Sequence, residues 1–442
     1  MAIDSGTTTS YADLYKEIYG DTVTALFDKA TVTYNQFPKA DAKYSVRGKG
    51  FNEALQIANS ASNGSRGEQK MLPPGLAGKS DVAKILPKFH YHALQMSGPA
   101  MEAGKGDVAA YVDLQTAEIK GAYEETLVQL NRQSWGDGYG LLGTLSAVSD
   151  AVTTSGSTTW TVTMDNATGV QYCRPGMLVD FYNSTAIDES ATACRISSVN
   201  PMTKSLEMEP NDSTYLAYHP LTAARSYTIT TGTVASGSYM VTMGSRAATH
   251  ATTNTSYELD GLPAIYDDGT LRSTFEGITV SGNPYWQATI LDNSSVTRAL
   301  TIDLMLSAIQ AAKTRGGRDI AKIRMGLGQQ RNYAGLLLND VRFQPQVIKG
   351  GYTTMTFAAG GGDIEMVIDP YATAGAIYFE PADCIKKYES LPLGFGNLDP
   401  EWKQVTQYDE YQKFLKIYCN LGTAERHGLV LLKDLTEPTL FT

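Results

Sequence analysis

One long stretch, residues 107–135, carries hydrophobic side chains at the spacing of an α-helix. Its apolar positions form a single stripe: Val108, Val112, Ile119, Tyr123, Leu127 and Leu130. Asp107 suits the N-cap, and Gly121 is the only Gly or Pro in the interior. At about 1.5 Å per residue this helix would be roughly 40 Å long. We therefore predict a long, straight helix that ends at the sequence WGDGYG.

Residues 43–98 predict two extended arms joined by a long tip. The arms are KYSVRGKGFNEALQIAN and VAKILPKFHYHALQMSG, and the tip between them is SASNGSRGEQKMLPPGLAGKSD. A hairpin with so long a tip is uncommon inside a compact domain. We expect the hairpin to project and to reach another subunit. Ahead of it, residues 10–30 predict short helical pieces in a loose N-terminal segment.

Residues 146–245 alternate between short strand-like segments and turns. The strand candidates are TTWTVTMDNATG, GMLVDFYN, Arg195–Pro201, KSLEMEP, RSYTITTG and SYMVTMGS. The turn candidates are DNATG, VNPMTK and EPNDS. This pattern predicts a small β-barrel or sandwich inserted into the chain.

The last third of the chain contains both helical and strand-like patterns. Helical spacing recurs at 297–314 and again at about 328–340. Strand-like segments follow in DIEMVIDP, in GAIYFEP and in KFLKIYCNLGTAERHGLVLLKDL. In the last of these, Leu415, Ile417, Cys419 and Leu421 alternate with polar or larger neighbours, which is the period of a half-buried strand.

Composition and charge narrow the class of protein. The chain has 442 residues, 42% of them hydrophobic and 19% charged, so it is long enough for two or three folded units and is not of a disordered type. The net charge of −10 gives no overall attraction to nucleic acid or to an anionic membrane. The first residues lack the features of a signal peptide, and no apolar run reaches the ~18 residues of a membrane span.

The run Gly138-Tyr139-Gly140-Leu141-Leu142-Gly143 spells G-x-G-x-x-G, the dinucleotide-binding fingerprint. That site needs a strand before the glycines and a helix after them. Here the predicted helix precedes the glycines and strand-like sequence follows. We therefore interpret them as the end of the helix and a reversal of the chain, where glycine supplies left-handed backbone.

Metal-binding and nucleophilic residues are sparse. His90 and His92 form H-x-H on a predicted strand, but two ligands without a third make a polar strand face the better interpretation. The widely spaced cysteines, Cys173, Cys194, Cys384 and Cys419, are expected to be reduced and buried. No G-x-S-x-G occurs, and Cys384 and Cys419 have no evident histidine partner.

Three further polar clusters have plain structural interpretations. Asp267-Asp268 before Gly269 predicts a turn, and the glycines at 360–362 predict a loop tip. The basic residues Lys313, Arg315 and Arg318 would either touch phosphate or form the solvated end of a helix, and we favour the helix end. We predict no catalytic, cofactor-binding or metal-binding residues.

The order of the elements resembles that of a known family, the major capsid proteins of tailed bacteriophages. EQKMLPPG followed by KFHYHALQMSGPAMEAG resembles the second half of the family's extended E-loop, and VAAYVDLQTAEIKGAYEETLVQLNRQSWGDGYG is similar to its spine helix. ELDGLPAIYDDGTL with GITVSGNPYWQATIL resembles the entry into the axial domain. DIEMVIDPYATAGAIYFEPADCIKKYES and YDEYQKFLKIYCNLGTAERHGLVLLKDL are similar to the end of that domain and the closing strands of the peripheral domain. The resemblance covers most of the chain in order.

The resemblance implies an α+β chain of the Hong Kong 97 type, which encapsulins share. The implied parts are an N-terminal arm (1–42), an E-loop (43–99), a peripheral domain with the spine helix (100–145), an inserted β domain (146–245), an axial domain (246–398) and closing peripheral strands (399–442). It implies a non-enzymatic shell protein that assembles as pentamers and hexamers around double-stranded DNA. Its partners would be copies of itself, through the E-loop and N-arm, together with scaffolding, portal and decoration proteins. Packaged DNA would be held only weakly, without a membrane or cofactor.

The chain departs from the simplest members of this family in three respects. The segment 146–245 is additional, and the N-terminus lacks a long charged scaffolding helix, so we expect a mature form or a separate scaffold. Some members crosslink subunits through a Lys, an Asn and a catalytic Glu. Lys49, Lys70 and Lys79 lie on the implied E-loop, but YDEYQKFLK contains no Asn. We therefore expect no autocatalytic crosslinking.

Two alternatives stay open at this point. A cellular encapsulin shell would have the same fold. A carbohydrate-binding or carbohydrate-active protein would explain a Tyr-rich β segment, but it needs a concave aromatic platform and, for hydrolysis, a pair of carboxylates at a fixed separation.

Overall fold

The structure, a computed structural model, describes most of the chain. The described residues are 32–40, 50–60, 62–99, 108–149, 152–154, 157–182, 189–209, 234, 236–245, 256–338, 356–359, 362–395, 402–405 and 408–438. Several sequence predictions lie outside them: the helical pieces at 10–30, the strand RSYTITTG, the cap Asp107, Lys49 and the first two glycines of 360–362.

Helices and strands alternate irregularly along the described chain. The helices are α1 (Val32–Gln36), α2 (Val108–Ser134), α3 (Ala167–Gln171), α4 (Leu262–Ile265), α5 (Ile302–Gly316) and α6 (Leu327–Leu338). The first strands are β1 (Phe51–Ala58), β2 (Lys79–Ile85), β3 (Lys88–Ser97), β4 (Leu141–Val148), β5 (Val152–Thr154), β6 (Ser157–Met164), β7 (Leu178–Tyr182), β8 (Glu189–Asn200), β9 (Ser205–Glu209) and β10 (Tyr239–Thr242). The later strands are β11 (Thr274–Phe275), β12 (Ile278–Thr279), β13 (Thr289–Leu291), β14 (Ile320–Met325), β15 (Thr356–Ala359), β16 (Gly362–Ile368), β17 (Ile377–Pro381), β18 (Ile385–Phe395), β19 (Lys403–Gln404), β20 (Glu410–Thr423) and β21 (Val430–Leu432).

Strands β1 and β2 form a two-stranded antiparallel ribbon, with Phe51 opposite Ile85 at its inner end and Ala58 opposite Lys79 at its outer end. Residues 59–78 connect the strands and form what we call the ribbon tip. The second arm was expected to continue to residue 98, but it divides at Leu86–Pro87, and β3 pairs with β20 instead. The prediction of one continuous arm was wrong because Pro87 has no N–H to extend a ladder.

The long helix predicted from its hydrophobic stripe is confirmed as α2, which has 27 residues. It lies on one face of a sheet in which β20 pairs with β3 along one edge and with β18 and β19 along the other. Alternate residues of β20 face the helix: Leu415 packs with Leu94 and Ala122, and Ile417 packs with Leu130. The predicted period-two strand is therefore confirmed.

Strands β4 to β10 form a closed antiparallel barrel. The ring runs from β4 to β10, β7, β8, β9 and β6, and β6 returns to β4, while β5 only extends β6. Apolar side chains, among them Trp160, Val179, Phe181 and Met208, fill its interior. The β-rich unit was predicted to start at residue 146, but it also includes all of β4, which starts at Leu141.

One turn prediction in the barrel was wrong. The sequence DNATG forms the start of the short helix α3, because the Asn166 side chain accepts a hydrogen bond from the Gly169 N–H at 2.8 Å. Such a side-chain acceptor is the usual signal for a helix N-terminus.

The remaining strands form a six-stranded mixed sheet in the order β13-β21-β17-β14-β16-β15. Helices α5 and α6 cover one face, where Met305 and Tyr333 join Ile377 and Phe379. Tyr378, between these two on β17, points the other way into a second core with Trp135 and Tyr266. This second core joins the six-stranded sheet to the end of α2 and to the inner end of the ribbon.

Candidate functional site: a projecting ribbon and an exposed aromatic face

The glycine run lies in the turn between α2 and β4. Backbone φ angles of +84° at Gly138 and +73° at Gly140 place both in the left-handed region, so the predicted chain reversal is confirmed. A Cβ on Gly138 would collide with the Arg272 guanidinium, and one on Gly140 with the Ser245 hydroxyl. Because strand β4 follows these glycines directly, no helix N-terminus is available there for a phosphate.

His90 and His92 lie on the face of β3 that is turned toward α2, as the alternation predicts. The His90 Nδ1 lies 3.4 Å from the Nε2 of Gln133, within hydrogen-bonding distance. Burial lowers the pKa of His90 to about 4, so this imidazole is neutral at pH 7. No group of three or more His, Cys, Asp or Glu suited to a metal occurs among the described residues.

The four cysteines are free thiols and are buried, which confirms the prediction. Burial raises the pKa of Cys173, Cys384 and Cys419 to about 12, and it raises that of Cys194 further. A thiol with so high a pKa is almost entirely protonated at neutral pH and is a poor nucleophile.

The two charged clusters have the structural roles predicted. Asp267 accepts hydrogen bonds from the N–H groups of Leu271 and Arg272, which makes a tight turn. In the last turn of α5, Lys313 pairs with Asp319 at 2.9 Å, and Arg315 donates to Thr289 at 2.8 Å. These cations therefore lie at a helix C-terminus, where the dipole favours them.

The ribbon tip exposes apolar side chains in the sequence MLPPGL. Met71 is 89% exposed, Leu72 80% and Leu76 54%. The hydrogen bonds described for the tip are local: Leu76 N–H donates to Ser62 Oγ, and the Arg66 guanidinium donates to the Met71 carbonyl. Exposed apolar groups at the end of a two-stranded projection are typical of a contact surface.

A second apolar surface lies on the sheet face that is turned away from α2. Phe89, Tyr91 and Phe414 are 56%, 53% and 40% exposed. Tyr418 contacts two of them: its ring meets the Phe89 ring edge-on at 4.9 Å, and its hydroxyl lies 3.4 Å from that of Tyr91. That hydrogen bond, with some burial, raises the pKa of Tyr91 to about 12. We call these four residues the aromatic face.

The inner end of the ribbon is fixed to the body of the subunit. The Lys84 N–H donates to the Glu276 carbonyl at 2.7 Å, and a Glu276 carboxylate oxygen accepts from the Thr423 N–H at 3.1 Å. Burial raises the pKa of Glu276 well above its usual value, and nearby Asp260 and Glu53 add to the effect. Glu53 occupies a buried position of β1, so two carboxyl groups are buried at the root of the ribbon.

Polar groups also connect the segment before α4 with the turn after it and with β20. Asp260 pairs with Arg272 at 2.6 Å and accepts from Asn420 at 2.8 Å. Burial alone would raise the pKa of Asp260, but the cations Arg272 and Lys88 outweigh it and the pKa is lowered. No local sequence pattern indicates the contact between Asp260 and Asn420, because the two residues are 160 positions apart.

The barrel is attached at the loop after α3. The Tyr172 ring stacks on Tyr371 at 5.9 Å, and its hydroxyl donates to the Tyr371 carbonyl at 2.6 Å. Arg174 pairs with Glu125 of α2 at 2.8 Å. The barrel is thereby tied both to the long helix and to the loop that follows β16.

Comparison with known proteins identifies the fold. No protein-family model matches the sequence, and no curated protein matches it. A chain from the capsid of cyanophage A-1(L) matches 98% of this chain and 100% of its own length, with a TM-score of 0.53 and 12% identity. A chain from the capsid of the Myoviridae phage XM1 matches over 96% and 97%, with a TM-score of 0.44 and 8% identity.

Encapsulin structures match a smaller part of the chain. An encapsulin complex from Synechococcus elongatus covers 35% of this chain and 55% of its own, with a TM-score of 0.24 and 11% identity.

None of the helices described is long and apolar enough to cross a membrane. From end to end, this chain has a mixed α and β fold that it shares with a protein of a phage capsid.

Proposed function

We propose that this chain is the major capsid protein of a tailed bacteriophage, with the Hong Kong 97 fold, and that it assembles as pentamers and hexamers into an icosahedral shell around double-stranded DNA. The observation that carries the proposal is the end-to-end match with the cyanophage capsid chain. The projecting ribbon supports it, because an exposed apolar tip is unfavourable in a subunit that stays alone.

The family elements are assigned within this proposal. The ribbon with its tip is the projecting part of the E-loop (43–99), whose last strand, β3, returns to the sheet of β20. In the same proposal α2 is the spine helix of the peripheral domain (100–145), and the sheet containing β20 carries closing strands (399–442). The six-stranded sheet with α5 and α6 belongs to the axial domain (246–398), except that its strand β21 comes from the closing segment (399–442). The barrel is the inserted domain (146–245), and residues 1–42 are the N-terminal arm.

The proposed function is structural and not enzymatic. It is supported by the four buried thiols, none of which is an activated nucleophile. Proposed partners are neighbouring copies, a scaffold, a portal and decoration proteins, with DNA held weakly because the chain carries a net charge of −10. The proposed location is the virion, after assembly in the host cytoplasm.

Negative-stain electron microscopy of the purified chain, with and without a co-expressed scaffold candidate, tests this function. We expect closed particles, pentamers or hexamers. A chain that stays a monodisperse monomer under every condition contradicts the proposal. Particles that hold a protein cargo in place of DNA would favour the encapsulin alternative.

A deletion separates assembly from folding. Replacing residues 59–78 by Asn-Gly closes the ribbon with a two-residue hairpin turn. We expect a folded, soluble subunit with an unchanged circular dichroism spectrum that no longer forms particles. Normal particles from this variant would show that the tip has no part in assembly.

The carbohydrate alternative finds no support in the described part of the barrel. A sugar platform needs exposed, concave aromatic rings. The barrel's Trp160 and Phe181 are packed inside it, and the exposed aromatic rings of the aromatic face lie on another sheet.

A further inference from the structure

The ribbon tip contains the only Asn-Gly pair in the sequence, Asn63-Gly64. In such a pair the carbon of the Asn carboxamide can close a five-membered ring with the backbone nitrogen of the next residue. Glycine has no Cβ to shield that nitrogen, and its backbone adopts more conformations than that of any other residue. An Asn-Gly pair that is free to move is therefore the pair in which the nitrogen most readily reaches the side chain.

Nothing in the described part of the chain holds this pair in place. Asn63 and Gly64 are both exposed and lie outside helices and strands, and neither the Asn63 carboxamide nor the Gly64 N–H makes a hydrogen bond to a described residue. The hydrogen bonds of Ser60 and Ser62 with Leu76 close the tip just before Asn63. Beyond them the chain is free to adopt the geometry that ring closure needs.

Other exposed asparagines of the described chain are held by hydrogen bonds. The Asn59 carboxamide accepts from Gln56 at 2.6 Å, and the Asn293 carboxamide donates to the Val296 carbonyl at 2.8 Å. Each of these two asparagines is followed by a serine, whose Cβ shields the backbone nitrogen. A free carboxamide and an unshielded nitrogen therefore coincide at Asn63.

We propose that Asn63 is a site of spontaneous modification in the free subunit, where its side chain closes an imide with the Gly64 nitrogen and is converted to aspartate or isoaspartate. In the first step the Gly64 nitrogen gives its proton to water or hydroxide and forms a bond to Cγ of Asn63. The Cγ–Nδ2 bond then breaks, and Nδ2 takes up a proton and leaves as ammonia. Water opens the imide at either carbonyl carbon, which gives aspartate, or isoaspartate with the backbone running through the side chain.

The reaction changes the charge and the length of the tip. The ionisable side chains of the tip are the cations Arg66 and Lys70 and the anion Glu68, so one new carboxylate makes the tip neutral overall. An isoaspartate also lengthens the backbone by one atom. The strands of the ribbon and their anchor at Glu276 take no part, so the fold of the subunit stays intact. The inference does not depend on the proposed function.

Mass spectrometry of the aged full-length chain tests the site. The purified subunit is kept for several days at pH 6 and at pH 8 and digested with trypsin, which releases residues 50–66 as one peptide. We expect a carboxyl group to replace the amide of Asn63 in two chromatographically distinct products, faster at pH 8 because the Gly64 nitrogen must lose a proton. Asn59 lies in the same peptide and should keep its amide. A chain that keeps the amide of Asn63, or that reacts first at Asn59, would overturn the inference.

Gly64→Ala is the matched variant, because it keeps Asn63 and adds only a Cβ. The φ angle of Gly64 lies outside the left-handed region, and the new Cβ would meet the end of the flexible Arg66 side chain, at 3.1 Å, so the tip can keep its conformation. We expect the reaction to slow about tenfold, which equals about 1.4 kcal/mol in the barrier. An unchanged rate in this variant would overturn the imide route.

Unfolding separates the contribution of the structure from that of the sequence. In guanidinium chloride the rate at Asn63 should stay close to the native rate, because the tip is already free. The rate at Asn293 should rise, because its hydrogen bond to Val296 is lost. A native rate at Asn63 far below the unfolded rate would overturn the claim that the tip leaves this side chain free.

Discussion

Arg426 is the fully buried cation on which the stability of the subunit should depend most. Its guanidinium donates to four backbone carbonyls: those of Ile265 at 2.9 Å, Trp286 at 3.0 Å, Ala264 at 3.2 Å and Asp267 at 2.5 Å. It also lies 4.5 Å from the centre of the Phe275 ring. One side chain thus joins the end of α4, the turn after it and the segment before β13.

Arg426→Lys keeps the charge and removes the planar fork. A lysine ammonium at this position reaches about two of the four carbonyls, and each buried acceptor left without a donor costs about 1–3 kcal/mol. We therefore expect a loss of about 3–5 kcal/mol, a large share of the 5–15 kcal/mol typical of a folded domain. With a urea m-value of about 3 kcal/mol/M, the unfolding midpoint should fall by more than about 1 M.

Urea unfolding of the dissociated subunit, followed by tryptophan fluorescence, measures this shift. The Trp286 ring lies 5.9 Å from the guanidinium and reports on the site directly. Arg315→Lys is the matched control, because Arg315 also donates to backbone carbonyls but is exposed, and it should shift the midpoint by less than about 0.3 M. Equal shifts in the two variants would refute the claim that the burial of the four carbonyls sets the cost.

Three further predictions concern glycines, a buried acid and the thiols. Gly140→Ala should destabilise the subunit by about 2 kcal/mol or more, because φ is +73° and the new Cβ meets Ser245. Gly121→Ala should stabilise it by about 0.5–1 kcal/mol, because Gly121 lies inside α2 with open space around it. The midpoints of thermal unfolding of the two variants must shift in opposite directions. The raised pKa of Glu276 means that folding favours its protonated form, so its contribution to the free energy of unfolding is complete below the unfolded pKa of 4.5 and is lost as the pH rises. Glu276→Gln should therefore be more stable than the wild type at pH 8. An unchanged pH slope of the unfolding free energy in this variant would disprove the argument. The cysteines should not react with Ellman's reagent at pH 8 until urea is added, and rapid labelling of the native subunit would contradict their burial.

Local sequence patterns were sufficient to predict a helix or strand where one face of that element is apolar. The stripe along α2 and the alternation along β20 both predicted the element and the face that it buries. The barrel strands were recognised because short alternating segments lie between turn residues. In FNEALQIA the same alternation placed Glu53 on the buried face with Phe51 and Leu55, a signal for a buried carboxyl group that was present and was missed.

Other features depend on contacts that no local pattern records. The extended pattern runs on through Leu86 and Pro87, and only the pairing of β3 with β20 shows that the second arm divides there. Asp260 and Asn420 are 160 positions apart in the chain. Arg426 is likewise about 160 positions from three of the four carbonyl groups to which it donates. The aromatic face likewise arises only when β3 and β20 become neighbours, which brings Phe89 beside Tyr418.

The placement of buried ion pairs in this chain suits the repeating subunit that we propose. A buried pair contributes little net stability compared with apolar packing, but it penalises every alternative arrangement that separates its charges. Here Arg132–Glu258 ties the end of α2 to the segment before α4, and Arg324–Glu380 ties β14 to β17. Both join elements from different parts of the chain and so restrict their relative positions. In the ring of identical copies that we propose, an angular error in one subunit would be repeated at every contact, so fixed relative positions of these elements would favour closure.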